Sequence, residues 1–169
     1  MRFVIDKTWE GRPLEASEAA EVDVTCTDDS VIIEVDAPYH GDPAPQPMAG
    51  RLDRLWEHEV VELFLLGDHD HYLEVEMGPH GHYLVLQLCG PRQVERRALL
   101  VGFEAVIGGD RWHGRARFPA TYLPANTKRG NAYRIYGSGD DRRYLAAYPV
   151  PGERADFHRL ECFGDVTLF

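Results

Sequence analysis

The sequence predicts an all-β protein, an antiparallel β-sandwich of about ten strands. Short runs in which apolar and polar residues alternate follow one another along the chain, and turn-forming residues separate nearly all of them. The chain has 169 residues, of which 44% are hydrophobic. This length and composition suit one domain, residues 1–169, built around one core.

Alternation with a period of two places every second side chain on the same face of a strand. Such runs cover residues 2–6, 21–26, 31–37, 59–66, 72–77, 82–88, 99–107, 112–118, 132–137, 144–148 and 166–169. Only residues 14–20 and 120–123 suit short helices. Residues 38–54 contain four prolines and two glycines, so we expect a long loop across one end or face of the sandwich.

The net charge limits the expected partners, and the cysteine count indicates the cellular compartment. A formal net charge of −10 repels phosphate backbones and anionic lipids, which disfavours nucleic acid and membranes as partners. The chain shows no signal-peptide pattern and no apolar run of about 18 residues. Its three cysteines, Cys26, Cys89 and Cys162, are far apart and odd in number, which suits a reducing compartment. We therefore expect a cytoplasmic protein.

The hairpin formed by residues 72–88 decides which side chains share a face. If its turn has four residues, Glu74 and Tyr72 lie beside Tyr83 and Gln87 on a mixed face, and the opposite face is almost wholly apolar. Carboxylate and amide groups can hydrogen-bond sugar hydroxyls, and tyrosines offer flat apolar surface. The alternative is a solvated sheet face with cross-strand pairs. Two neighbouring acids on this strand are also candidate calcium ligands, although no Asp-rich calcium loop is present.

Glu62 has two possible positions. If residues 67–70 form a tight hairpin, Glu62 points into the core, where it needs a partner such as arginine because isolated burial costs several kcal/mol. A bulge that shifts the register by one residue instead places Glu62 beside Glu74 on the mixed face. The sequence is compatible with both positions.

Two further residues are candidates for binding. Trp56 lies where an irregular segment becomes a strand, so its indole could stack on a sugar ring or plug the end of the core. Trp9 and Trp112 suit packing. His158 follows Asp156 by two positions, so the acid could fix the imidazole tautomer, or the pair could anchor a loop. The eight histidines show no zinc-like spacing, so we expect no resident cofactor.

Motifs along most of the chain resemble a known group of sandwiches. The segment LWEHEVVELF at 55–64, followed by YLE at 72–74, resembles DOMON-like sandwiches related to family-nine carbohydrate-binding modules. The segments YLAAYP at 144–149 and DFH at 156–158 are similar to a later motif of that group. An uncharacterised animal protein family is more similar still, including YPVP at 148–151. The resemblance implies the sandwich fold, and it implies sugar binding or, in some relatives, haem binding.

We therefore expect a small polar ligand, a carbohydrate in the first instance, on the mixed face beneath the loop 38–54. The first alternative is an enzyme acting on a sugar, with Glu62 and Glu74 as an acid/base pair or His158 as the base. A nucleophilic triad has no support, since no serine or cysteine lies in an elbow-like context.

The second alternative is haem binding, which follows from the resemblance alone. Met48 or Met77 would then have to meet a histidine across the sandwich to supply the axial ligands.

Overall fold

Two β-sheets packed face to face form the structure, a computed structural model that describes residues 1–46 and 48–168. Fourteen strands occur in that part of the chain. They are β1 (Arg2–Ile5), β2 (Lys7–Thr8), β3 (Ala20–Cys26), β4 (Ser30–Pro38), β5 (Gly50–Arg51), β6 (Val60–Leu66), β7 (His71–Met77), β8 (His82–Cys89), β9 (Val94–Arg96), β10 (Gly102–Gly108), β11 (Arg111–Pro119), β12 (Arg129–Tyr136), β13 (Arg143–Ala146) and β14 (Gly164–Asp165).

The strands divide into a five-stranded sheet and a nine-stranded sheet. The first has the order β1-β3-β4-β11-β10. The second has the order β2-β13-β12-β6-β7-β8-β5, with β14 paired to β12 and β9 paired to β8. Among the described residues all strand pairs are antiparallel except the short pair of β5 and β8. The predicted antiparallel β-sandwich is confirmed.

The interior between the sheets is filled by the inward-facing residues of both. The five-stranded sheet buries one face only, so β11 alternates between buried and exposed residues along most of its length. Trp112 on this strand is fully buried in the interior, as its pattern predicts. An added Cβ at Gly114 would come within 2.7 Å of the Trp112 ring, so a glycine is needed at that position.

The nine-stranded sheet is covered on both faces. All seven residues of its central strand β6 are buried, which is typical of a strand with packed layers on either side. Its outer face packs against residues 147–163, here called the C-terminal segment. The apolar residues that this segment contributes are Val150, Phe157, Leu160 and Phe163.

Both hairpins that flank β7 close through three-residue loops. Gly67 N–H donates to the carbonyl four residues ahead, and Gly78 N–H does the same, each at 2.9 Å. The last residues of the two loops, Asp70 and Gly81, have left-handed backbone angles, with φ of 57° and 81°. Odd loops of this kind move the register by one residue relative to a four-residue turn.

The register of β7 and β8 corrects one prediction. Met77 pairs with Tyr83, so Tyr83 and Gln87 point towards the interior and not to the side of Glu74. Tyr83 is 8% exposed in the interior cluster, and Gln87 Nε2 donates to the carbonyl of Tyr122 at 2.9 Å. The predicted common face for these residues is therefore wrong.

The register of β6 and β7 decides the position of Glu62. Glu62 pairs with Glu76 and lies on the outer face, the same side as Glu74. Of the two expected positions the shifted one is confirmed, although the shift comes from the hairpin loop and not from a bulge. No salt bridge in the described part of the chain joins an arginine to Glu62.

Helical structure is limited to single 3₁₀ turns. In the described residues they lie at Ala16–Glu18, Leu55–Glu57, Asp68–Asp70, Ala120–Tyr122, Gly139–Asp141 and Leu160–Cys162. The predicted helix at 14–20 is thus one short turn. The predicted strand at 166–169 is not seen in its described part, where pairing ends at Gly164–Asp165, and Phe169 lies outside the described residues. None of the helices described has the length and apolar character needed to cross a lipid bilayer.

The loop 38–54, apart from Pro47, which is not described, packs at one end of the sandwich. The Glu59 carboxylate accepts the N–H groups of His40 and Asp42 at 2.9 and 3.3 Å. Buried Arg134 donates to the carbonyl of Pro38 at 3.1 Å. These bonds hold the first part of the loop to the start of β6 and to β12.

Candidate ligand-binding cavity

A cavity of about 370 Å³ opens on the outer face of the nine-stranded sheet, beside the C-terminal segment. Small-molecule sites commonly have volumes of roughly 300–1,000 Å³. Its apolar wall is formed by Leu86, Leu88, Val94, Ile135, Ala155 and Phe157. The remaining wall residues are Trp56, Glu62, Glu74, Arg92, Tyr144, Asp156 and His158. The cavity thus combines an apolar surface with several polar groups.

Three glutamates of β6 and β7 lie on this side of the sheet. Glu62 and Glu76 face each other across the two strands, and Glu74 is two residues from Glu76 on the same face. Glu62, Glu74 and Glu76 are 3%, 4% and 0% exposed. Among the described residues, Glu74 Oε2 and both carboxyl oxygens of Glu76 have no hydrogen-bond partner within 3.5 Å. The Glu74 and Glu76 carboxyl groups nevertheless interact, in the sense that favours the proton on Glu76, and the backbone N–H of Trp56 acts on Glu76.

Burial raises the pKa of all three carboxyl groups. Burial raises the pKa of Glu74 to about 7, while the interaction with Glu76 and then the Arg92 charge act in the opposite direction. The pKa values of Glu62 and Glu76 rise well above the usual range, first through burial and then through the negative charge of the neighbouring glutamates. At neutral pH the cluster therefore retains protons that exposed carboxyl groups would have lost.

Tyr72 joins the sheet to two segments that line the cavity. Its Oη lies 2.7 Å from His158 Nδ1 and accepts the backbone N–H of Arg92 at 3.1 Å. Burial and the charge of Arg92 lower the pKa of His158 to about 4, so the imidazole is neutral at pH 7. Tyr72 Oη can donate its proton to His158 Nδ1 while it accepts the N–H of Arg92. In that arrangement Nε2 of His158 carries the ring proton.

Arg92 and Asp156 form the rim of the cavity. Two hydrogen bonds of 2.7 and 3.3 Å join the guanidinium to the carboxylate. Asp156 also accepts the backbone N–H of His158 at 3.1 Å. Burial acts to raise the pKa of Asp156, but the bonds from Arg92 and His158 outweigh it and the pKa is lowered. The Asp156 carboxylate thus anchors the loop through Arg92 and the backbone N–H of His158. The His158 imidazole instead contacts the Tyr72 hydroxyl, so the expected contact between this acid and the imidazole is not formed.

Trp56 lies at the mouth of the cavity and is 41% exposed. Its carbonyl and the carbonyl of Glu57 both accept hydrogen bonds from Arg142. Arg142 Nε donates to Tyr144 Oη at 3.2 Å. The guanidinium therefore fixes the 3₁₀ turn that presents the indole.

The C-terminal segment is held to β12 by a buried amide. Asn131 Nδ2 donates to the carbonyl of Tyr148 at 2.8 Å, and Asn131 Oδ1 accepts the N–H of Tyr148 at 2.9 Å. Further along, Phe157 stacks on Tyr133 with ring centroids 3.9 Å apart. Tyr133 Oη donates to the carbonyl of Phe157 at 3.3 Å. These contacts set the position of the wall opposite the glutamates.

The structure brings together four of the seven predicted site residues at the cavity wall: Trp56, Glu62, Glu74 and His158. Tyr72 lies behind the wall and supports His158. Tyr83 and Gln87 point to the other side of the sheet. The described residues of the loop 38–54 do not line this cavity, so the predicted overhang by that loop is wrong, and the C-terminal segment occupies the corresponding place.

Sequence reasoning missed the roles of Arg92, Tyr144 and Phe157. Arg92 has a left-handed φ of 60° in the loop after β8 and turns its guanidinium to Asp156. Phe157 lies inside the DFH motif at 156–158. This motif drew attention to the segment but did not indicate that Phe157 stacks on Tyr133.

The methionines proposed as haem ligands lie away from this cavity wall. Met77 is fully buried in the interior cluster, and Met48 is 92% exposed. Neither position gives support to the haem alternative.

One other group of candidate ligand atoms lies outside the cavity wall. His71, Cys89 and Glu95 bring a nitrogen, a sulfur and a carboxylate oxygen within 4.8 Å of one another. His71 Nε2 is 3.7 Å from Glu95 Oε2. All three cysteines are free thiols.

Comparison with solved structures defines the class of fold. A proposed carbohydrate-binding protein from Bacteroides uniformis ATCC 8492 is 16% identical, with a TM-score of 0.75 over 98% of this chain and 84% of that one. A family 9 carbohydrate-binding module from Caldicellulosiruptor kristjanssonii, in complex with glucose, is 13% identical, with a TM-score of 0.58 over 86% and 74% of the two chains. The fold is a β-sandwich of the kind found in family-nine carbohydrate-binding modules.

Sequence comparison defines the family. The mouse UPF0462 protein C4orf33 homolog is 43% identical over 173 residues, covering 96% of this chain and 89% of the relative. The human UPF0462 protein C4orf33 is 41% identical over 172 residues, covering 96% and 86%. No known protein-family profile matches the chain. The chain belongs to the UPF0462 family, which confirms the resemblance to an uncharacterised animal family, and the names of these relatives state no function.

Proposed function

We propose that the chain binds a small saccharide in the cavity on the outer face of the nine-stranded sheet. The observation that carries this proposal is the joint presence in one cavity of a half-exposed tryptophan, Trp56, and the buried carboxyl groups of Glu62 and Glu74. Two fold neighbours named for carbohydrate binding support the same class of ligand.

The two kinds of wall match the two kinds of surface on a sugar. The axial C–H groups of a pyranose ring suit the indole face of Trp56 and the apolar wall. The hydroxyl groups suit Glu74 Oε2, which has no hydrogen-bond partner among the described residues. The neutral imidazole of His158 adds a donor.

A thermal-shift screen against mono- and oligosaccharides tests the proposal. A ligand that binds only the folded state raises the protein's free energy of unfolding by about 2.7 kcal/mol when the free ligand concentration is a hundred times Kd. Glu74→Ala should abolish the shift, whereas Glu104→Ala, on the solvated strand β10, should retain it. No shift with any saccharide, or a shift that survives in Glu74→Ala, would contradict the proposal.

Glycoside hydrolysis is a second candidate, which one observation favours. The pKa of Glu74 is raised to about 7 by burial, and a general acid working near neutral pH needs such a value. Chromogenic aryl glycosides test this function directly. Release of the chromophore that is lost in Glu74→Gln would support catalysis, and saccharide binding without release would leave a binding protein.

A further inference from the structure

We propose that the bound saccharide carries a free amino group, whose ammonium form lies against Glu62 and Glu74. This inference rests on the proposed function, and it names the class of sugar that the cavity selects. An amino sugar presents a cation at one edge and an apolar ring face at the other.

The cavity contains more buried acid than the protein itself satisfies. Glu74 is 4% exposed and lines the cavity, and its Oε2 has no hydrogen-bond partner in the described part of the chain. Glu62 is 3% exposed and also lines the cavity. Glu76 is fully buried beside them, and neither of its carboxyl oxygens has a hydrogen-bond partner within 3.5 Å in the described part of the chain. A buried acceptor without a donor is unfavourable, so a donor supplied by a ligand has a large effect.

The nearby cations are committed to other groups. Arg92 makes its two hydrogen bonds with Asp156. Arg142 donates to backbone carbonyls of the turn at Trp56 and to Tyr144. Across the described residues no lysine, arginine or histidine lies within salt-bridge distance of the three glutamates. The cluster therefore offers the cavity carboxyl groups that no described salt bridge neutralises, and an ammonium group bound there would favour loss of the protons that burial retains.

An ammonium group matches this arrangement better than a hydroxyl group does. Hydrogen bonds between a charged donor and a carboxylate are roughly twice as strong as neutral ones, and a water-poor cavity strengthens them further. An ammonium carries three donors, which can reach both Glu62 and Glu74. The apolar wall, including Leu86 and Ile135, remains available for the ring face of the same sugar.

Isothermal titration calorimetry at neutral pH and low salt tests the inference with three matched sugars. These are glucosamine, glucose and N-acetylglucosamine, which share the ring and differ in the group at one carbon. We expect glucosamine to bind at least tenfold more tightly than glucose, and N-acetylation to remove the gain. Equal affinity for the three sugars would overturn the amino-group inference while leaving saccharide binding intact. Binding of none of the three would overturn the amino-group inference, and the thermal-shift screen against other saccharides would then decide the proposed function separately.

Variants of the cluster locate the effect. Glu62→Gln and Glu74→Gln keep the side-chain size, and each should lower glucosamine affinity at least tenfold while changing glucose affinity less. Glu104→Gln is the matched control on the opposite sheet and should leave both affinities unchanged. A preference for glucosamine that survives both cavity variants would overturn the assignment.

Two other cations complete the test. Cyclohexylamine carries an ammonium on a ring without hydroxyl groups, and affinity equal to that of glucosamine would overturn the sugar part of the inference. Calcium is the rival for an acid cluster. If Ca²⁺ alone raised the melting temperature and glucosamine showed no advantage over glucose, the amino-group inference would be overturned.

Discussion

Tyr72 Oη and His158 Nδ1 lie 2.7 Å apart, although 86 residues separate them in the chain. The same hydroxyl accepts the N–H of Arg92 at 3.1 Å. One side chain of β7 therefore fixes both the loop after β8 and the C-terminal segment, which together form a wall and rim of the cavity. Removal of this hydroxyl should affect the cavity more than the sandwich.

Tyr72→Phe should lower the free energy of unfolding by about 1–3 kcal/mol, because the partly buried imidazole of His158 and the Arg92 N–H each lose a partner. Saccharide affinity should fall as well, since His158 is no longer held. Urea unfolding and calorimetric titration measure the two effects. Tyr122→Phe is the control, because its hydroxyl makes only an exposed bond of 3.3 Å to Leu100. Equal behaviour of the two variants would contradict the role of Tyr72.

Asn131→Asp should destabilise the protein by about 2–4 kcal/mol, although the two side chains have nearly the same size. The carboxylate keeps the acceptor for Tyr148 N–H but loses the donor to the Tyr148 carbonyl and to Tyr133 Oη. It also buries a charge at a fully buried position. Hydrogen exchange should show faster opening of the C-terminal segment than of β6. Uniform loss of protection would argue against the local anchor.

Arg92→Ala and Asp156→Ala should each change the free energy of unfolding by less than about 1 kcal/mol, because their salt bridge is partly exposed. Both variants should nevertheless weaken saccharide binding, since the rim loses its link between the loop after β8 and the C-terminal segment. A double-mutant cycle on the binding free energy isolates their coupling. Additive effects in that cycle would show that the pair does not act as a unit.

The glutamate cluster predicts a pH dependence with a definite sign. Because the folded-state pKa of Glu74 is raised from 4.5 to about 7, its stabilising contribution is full below pH of about 4.5 and is lost as pH rises through 7. Glu74→Gln should remove that loss. The free energy of unfolding of the variant minus that of the wild type should therefore be larger at pH 8 than at pH 4, by up to about 3 kcal/mol. Urea unfolding of both proteins at the two pH values checks this. Glu104→Gln should show no such gain.

His158 changes stability with pH in the opposite direction, and it does so equally in the wild type and in Glu74→Gln. Its folded-state pKa is lowered to about 4, so its contribution is present above pH 6.5 and is lost as pH falls towards 4. The difference between wild type and Glu74→Gln cancels this contribution. A variant that was destabilised at pH 8 would contradict the buried, unpaired state of Glu74.

The sandwich could be predicted from the sequence because alternation is a local property. The buried residues of β11 follow the period of two along the whole strand, and those of β4 do so up to Ala37. Trp112 falls on the buried side, as its neighbours Gly114 and Ala116 indicate. Several short strands lack this signal. Gly50–Arg51, for example, pairs with β8 through only two residues.

The faces of the central hairpins could not be predicted because they depend on loop length. Asp70 and Gly81 close three-residue loops in left-handed conformations, and one residue more would exchange the two faces of β7 relative to its neighbours. Alternation within one strand cannot detect this. Tyr83 and Gln87 were therefore assigned to the wrong side, whereas Glu74 and Glu62 met on one side.

The wall of the cavity depends on contacts between distant parts of the chain. Trp56, Glu74 and His158 carried a local signal, either a motif or a polar residue in an apolar run. Arg92 carried none, because its partner Asp156 lies 64 residues away and both lie in loops. The sequence thus indicated several candidate residues of the site but not the contacts that form the cavity around them.

Mapping a bound saccharide by nuclear magnetic resonance tests the central claim most directly. The indole N–H signals of Trp56 and Trp112 report on the cavity and on the interior respectively. Titration with a sugar that raises the melting temperature should shift the Trp56 indole and the His158 ring signals while the Trp112 indole stays in place. Shifts confined to the solvated face of β10 and β11, with Trp56 and His158 unmoved, would contradict the account.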